Sequence, residues 1–140
     1  MTDKIFVDSN LWVYLFTEEE DVKNKAAKEY ITKSAESNRL VISYQVVNEV
    51  CQVLKKKKYT EPEIRRVADD MMGLCEVCGY SGEIIYHASE LREKYSFSFW
   101  DSHIAASALA SQCGVLASED MQDGLKIDSM VIQNVLNASR

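Results

Sequence analysis

Short, wholly apolar runs alternate along this chain with longer stretches in which apolar residues recur at helical spacing. Ile5-Phe6-Val7 is the first run, and it ends in Asp8-Ser9-Asn10, three residues suited to helix entry. The pattern predicts a buried strand followed at once by a helix from about Leu11. Ala26, Ala27, Tyr30 and Ile31 mark a second helix over Val22–Glu36. Leu40-Val41-Ile42 is the next short strand, and Ser43 caps a helix from Tyr44 to about Lys57. Thr60-Glu61-Pro62-Glu63 places a hydroxyl at the cap, proline in the first turn and a carboxylate three residues on. That is a capping box, opening a helix to about Leu74. Glu76-Val77 is a candidate short strand, and Glu83–Lys94 is helical with Ile84, Ile85, Ala88 and Leu91 on one stripe. Ser98 caps a helix over Phe99–Ser111, which Gly114 is expected to end. Val115-Leu116-Ala117 and the weaker Met130-Val131-Ile132 complete the strands.

Apolar strands alternating with helices imply βαβ units, and so an α/β fold. The expected core is a parallel sheet of about four to five strands, flanked by helices on both faces. Right-handed crossovers then restrict the topology, and a site in such a sheet lies beyond the carboxyl ends of the strands. Acids gather at those ends: Asp8 closes the first strand, and Glu119-Asp120 follows Ala117 after one serine. With 140 residues, one proline and five glycines, the chain reads as one domain over residues 1–140, without linkers or repeats.

Charge changes this picture more than composition does. The formal net charge of −6 is an odd balance for a protein that holds a polyanion, although it suits one whose acids are concentrated to hold cations. Charge alone does not choose between that and simple solubility. Asp3 near the start argues against a signal peptide, and no apolar stretch is long enough to span a bilayer, so a cytoplasmic protein is expected. Cys75 and Cys78 form a CxxC at a predicted helix end, without a second pair or suitably spaced histidines. The four cysteines therefore read as small hydrophobes rather than as a zinc or redox site.

Asp101 is the most informative carboxylate. Ile104, Ala105 and Ala108 define an apolar helix face, and Asp101 points into the middle of it. Left unpaired, a carboxylate there would cost several kcal/mol. Two readings satisfy it: a capping box in which Asp101 bonds back to the Ser98 amide, or a ligand to a cation in the first helical turn. Glu49 borders the stripe of Val46, Val50, Val53 and Leu54, with Gln45 and Gln52 further round toward solvent; alone it reads as a solvated charge. Asp8 alone reads as a cap, and Asp120 alone as a loop acid with Glu119 and Asp123 as close rivals. Together, two stand at strand ends and two on helices expected to flank those ends. Clustered carboxylates cannot all stay ionised without a cation between them, and an all-oxygen set suits Mg2+ or Mn2+. His103 is read off the apolar face and His87 on an exposed helix, so neither supports a nucleophilic triad.

The same residues resemble a known family. Phe6-Val7-Asp8-Ser9-Asn10 resembles the opening strand motif of PIN domains, and Val47-Asn48-Glu49-Val50 the segment carrying that family's helical glutamate. Phe99-Trp100-Asp101 with the Ala-rich helix after it resembles the third acidic motif, and Val115-Leu116-Ala117-Ser118-Glu119-Asp120 the fourth. Order and spacing agree from about Ile5 to Ile132. The resemblance implies a PIN fold and Mg2+- or Mn2+-dependent cleavage of single-stranded or structured RNA by Asp8, Glu49, Asp101 and Asp120. At this size the chain resembles VapC-type toxins of toxin–antitoxin pairs, which implies a homodimer inhibited by an antitoxin protein.

Lys55-Lys56-Lys57-Lys58 is the one basic run. It reads either as a solvated helix end complementing the helix dipole or as a phosphate-gripping edge. Two functions of different classes therefore stand: an endoribonuclease, and a catalytically silent PIN-like module that binds RNA or protein. A receiver-type phosphoacceptor is a distant third, for no acid pair follows the first strand and no lysine is suitably placed.

Overall fold

In a computed structural model, which describes residues 3–136, six helices and six strands build one sheet with helical cover. The order is β1 (Lys4–Val7), α1 (Ser9–Thr17), α2 (Asp21–Ser37), β2 (Arg39–Ser43), α3 (Tyr44–Lys56) and α4 (Glu61–Leu74). It continues with β3 (Glu76–Cys78), α5 (Gly82–Lys94), α6 (Phe99–Ala110), β4 (Val115–Ala117), β5 (Lys126–Ile127) and β6 (Met130–Gln133). The helices and strands expected from periodicity are present, with ends shifted by a residue or two. Among the described residues no helix is long and apolar enough to cross a membrane.

The strand order is β3-β2-β1-β4-β6-β5, parallel except where β5 runs antiparallel to β6. From β1 the chain steps outward through β2 to β3, then returns to place β4 on the other side of β1. Right-handed crossovers put the helices of these two directions on opposite faces. The packing agrees: α1 packs on α2 and α3, and α3 on α4, while α5 packs on α6. The reversal makes the gap between β1 and β4 a topological switch point, where a crevice opens beyond the strand ends. The sheet has one strand more than the upper expectation. β5 is only Lys126–Ile127, too short to show a period of two, and it turns back onto β6 through Asp128 at φ 54°.

Phe6, Val41, Ile42, Leu116 and Ile132 are fully buried in the sheet, and Trp12 packs beneath β1 with its indole N–H donating to the Val7 carbonyl at 3.1 Å. Removing side chains of this kind from water contributes about 1.5–3 kcal/mol each. One helix ending departs from the sequence reading. Gln112, not Gly114, takes the left-handed turn after α6 at φ 61°, with the amides of Gln112 and Cys113 bonded back to the carbonyls of Leu109 and Ala108. Lys58 plays the same part after α3, at φ 69°. A second correction concerns α6 itself. Ser102 through Ala108 are buried on every side of the helix, so His103 lies in the interior rather than off the apolar face. Small residues let α6 approach both the sheet and α5, and a helix enclosed all round has no polar face to read.

Candidate active site

Register builds the first part of the site. β1 and β4 pair with Val7 opposite Ala117, so the next residues, Asp8 and Ser118, meet at the carboxyl ends of the two strands. Asp8 is the N-cap of α1 and is buried. Its Oδ1 accepts from the Ser9 amide at 2.7 Å, and its Oδ2 from the Ser118 hydroxyl at 2.8 Å. Burial pushes the Asp8 carboxyl up to about 6 despite those two bonds, and the negative charges of Glu49 and Asp101 push the same way. Three acids, one just past β1 and the others on α3 and α6, thus share one electrostatic neighbourhood.

Asp101 stands half-buried in the first turn of α6. Its amide donates to the Ser98 hydroxyl at 3.3 Å, but its carboxylate makes no hydrogen bond or ion pair among the described residues. Half of the capping box is built, and the half that would occupy the carboxylate is not. Glu49 is also half-buried and accepts one bond, from the Gln45 amide at 3.2 Å. Gln45 donates as well to the Trp100 carbonyl at 3.3 Å, so it ties α3 to the start of α6. Sequence reasoning turned Gln45 toward solvent; its spacing of four before Glu49 was the signal that could have placed it.

Asp120 is exposed on the loop after β4 and accepts from the Asn10 side-chain amide at 3.1 Å. Asn10 also receives the Glu119 amide at 3.4 Å, fastening the loop to α1. The two rivals of Asp120 are engaged elsewhere. Glu119 accepts from the Tyr14 hydroxyl at 2.5 Å and pairs with Lys23 at 2.8 Å. Burial would raise the Glu119 carboxyl, but the bonds from Lys23 and Tyr14 outweigh it and hold the group low. Asp123 caps the Asn134 amide at 2.9 Å.

No lysine or arginine pairs with Asp8, Glu49, Asp101 or Asp120 among the described residues. Nor are three or more His, Cys, Asp or Glu side chains among those residues closed up into a metal-binding arrangement. Drawing like charges together without a counter-ion costs Coulomb energy. The donor set is all oxygen, of the kind that hard divalent cations take.

The lysine run is partly committed. Lys55 pairs with Glu61 at 2.7 Å and Lys57 with Glu19, while Lys58 sits in the turn after α3. All four cysteines are free, and burial pushes the thiols of Cys75 and Cys113 up to about 12, which disfavours the reactive thiolate. His103 is held by its ring nitrogen at 2.9 Å from the Phe99 carbonyl, among the rings of Tyr80, Phe99 and Trp100.

The family model of the PIN domain matches residues 5–123. Comparison with curated proteins finds no match. Among solved structures, VapBC2 from Rickettsia felis, bound to a DNA fragment from its promoter, is similar with a TM-score of 0.71 at 18% identity. That match covers 93% of this chain and 97% of the other. A toxin–antitoxin complex from Klebsiella pneumoniae is similar with a TM-score of 0.69 at 23% identity, covering 91% and 95%. VapC20 from Mycobacterium tuberculosis, a toxin that cleaves the sarcin–ricin loop, is similar with a TM-score of 0.64 at 18% identity, covering 80% and 86%. At these identities the likeness establishes a shared fold.

Proposed function

The chain belongs to the PIN-domain family, and from that premise we propose that it is a metal-dependent endoribonuclease, the toxin of a VapC-type toxin–antitoxin pair. The observation that carries the reading is the set of acids at the switch point, with which no lysine or arginine pairs among the described residues. Asp8, Glu49 and Asp101 would hold Mg2+ or Mn2+, with Asp120 joining from the loop that Asn10 positions. A bound divalent ion of this kind supplies activated water and offsets charge on a phosphodiester oxygen. The chain's own part is positional. Ser118 and the Ser9 amide orient the Asp8 carboxylate, and Gln45 holds Glu49 against the start of α6.

Residues 1–140 would make up one such domain, working in the cytoplasm as a homodimer on RNA and restrained by an antitoxin protein. Support for the partner comes from the toxin–antitoxin assembly among the similar structures. Support for RNA comes from the toxin that cleaves the sarcin–ricin loop. The test is cleavage of a pool of cellular RNAs by purified protein, with EDTA, Mg2+ or Mn2+. Metal-dependent cleavage is expected. Its absence under all three conditions, in a folded protein that still binds RNA, would favour the catalytically silent module.

A further inference from the structure

We propose that the groove between α3 and the start of α6 is a shelf for nucleobases, so that the chain takes an unpaired RNA segment beside the acids. The inference rests on the ribonuclease reading, and what it adds is the surface, built by Tyr44, Tyr80 and Trp100, on which the bases would lie.

The groove has a volume of about 540 Å³ and shares Glu49 with the acid cluster. Three aromatic rings line it, those of Tyr44, Tyr80 and Trp100, and each is more than half exposed. Single exposed rings are ordinary; three converging on one groove are a ready surface for flat π systems. The rings are also held from behind. Trp100 lies 5.1 Å from Phe99 and 5.2 Å from the buried His103, and Tyr80 sets its edge on His103 at 5.9 Å. A preformed ring surface loses little freedom when a base stacks on it.

The polar lining separates a base from a phosphate. Gln45, Asn48 and Gln52 follow one face of α3 at spacings of three and four, and no lysine or arginine lines the groove among the described residues. Amides both donate and accept, as base edges do, whereas a phosphate needs cations or clustered donors. Asn48 and Gln52 have no hydrogen-bond partner among the described residues, so their amides are free to pair with a ligand. The same stripe reaches Lys56 one turn past Gln52, about 6 Å along the axis. Unlike Lys55 and Lys57, Lys56 makes no ion pair among the described residues, which leaves a cation for the strand's backbone. A double helix keeps its bases stacked inside and offers the shelf nothing; an unpaired segment can splay them onto it.

The full chain is tested with three fluorescein-labelled probes: an eight-nucleotide single-stranded RNA, its duplex, and an abasic strand of equal length and charge. Affinity is measured in EDTA and cleavage in Mn2+, for wild type, Trp100→Ala, Trp100→Phe, Tyr80→Ala and Lys56→Gln. Tyr86→Ala, which removes an exposed ring of α5 outside the groove, serves as the control. Wild type should bind the single strand well above the duplex and the abasic strand. Trp100→Ala and Tyr80→Ala should each lose roughly tenfold or more on the single strand alone. Trp100→Phe should recover most of the loss, and Tyr86→Ala should change nothing. Lys56→Gln should instead flatten the salt dependence by about 0.7 for all single-stranded probes. Equal wild-type affinity for base-bearing and abasic strands overturns the shelf, as does wild-type behaviour in both ring-to-Ala variants; either leaves the groove to a protein segment. If wild type cleaves RNA in those cases, the ribonuclease reading survives without the shelf. Binding that follows the rings without any cleavage in Mn2+ or Mg2+ upholds the shelf and overturns the ribonuclease.

Discussion

The starts of α4 and α6 carry the same arrangement of residue types and use it differently. Thr60 and Ser98 each cap a helix, and each hydroxyl accepts from the amide three residues on at 3.3 Å. Three residues on stands a carboxylate in both. Glu63 reaches back to the Thr60 amide and hydroxyl, each at 2.9 Å, closing the box. Asp101, one methylene shorter, makes no return bond, and its charge acts on the buried Asp8 instead. Surroundings differ as much as reach. Glu63 stands in solvent, where a cap is the best use of its charge, whereas Asp101 is half-buried at a sheet's switch point. The contrast teaches that a hydroxyl and an acid three apart specify a helix start, but the next layer of packing decides what the acid is for.

The largest effect expected from this contrast is on cleavage. Asp101→Asn should abolish RNA cleavage in Mg2+ or Mn2+ while the protein stays folded, and Glu63→Gln should leave cleavage at the wild-type rate. Circular dichroism with a cleavage assay on both variants checks this. Near-wild-type cleavage by folded Asp101→Asn would remove Asp101 from the proposed ligand set.

Next comes the response to metal. A cation that binds only the folded state stabilises it by about 2.7 kcal/mol at a hundredfold excess over Kd, a rise of several degrees for a domain of this size. Melts in EDTA and in Mn2+ should show that rise in wild type and Glu63→Gln, and little of it in Asp101→Asn. In EDTA, Asp101→Asn should melt at or above wild type, since it relieves repulsion and breaks no cap. If instead it melts lower throughout and metal shifts both proteins equally, the carboxylate at Asp101 is a cap after all.

Smaller still is the cost of each cap. Thr60→Ala removes a complete box and Ser98→Ala half of one, so urea unfolding in EDTA should give about 1 kcal/mol for the first and less for the second. Equal losses would mean that the two starts are equivalent.

The mildest effect is on pH. The bonds from the Thr60 amide and hydroxyl hold the Glu63 carboxyl below its usual range. Its contribution is therefore present above the unfolded value near 4.5 and is lost as pH falls through the folded one. Stability measured between pH 6 and 3 should fall less steeply in Glu63→Gln than in wild type. A parallel decline in both would mean that the box carries no charge-dependent stability.

Local pattern determined a good deal of this molecule. Apolar runs with capping residues located β1, β2, β4, β6 and all six helices, because strand burial and helix entry are written in neighbouring residues. The same pattern set Asp8 at a strand end and Glu49 and Asp101 on helices, for each depends on its own element alone. Tertiary structure decided what those acids meet. The register of β1 on β4 brings Ser118 to Asp8 across 110 positions, and Asn10 reaches Asp120 across the same span. Bringing the starts of α3 and α6 together beyond the strand ends lets Gln45 reach the Trp100 carbonyl; the rings of Tyr80, Phe99 and Trp100 gather around His103, and Asp101 keeps no hydrogen bond or ion pair on its carboxylate among the described residues. No periodicity in one segment records such pairings, because they depend on strand order and helix approach, which long-range burial settles. Thr60–Glu63 and Ser98–Asp101 read alike for that reason, and they differ only once the chain has folded around them.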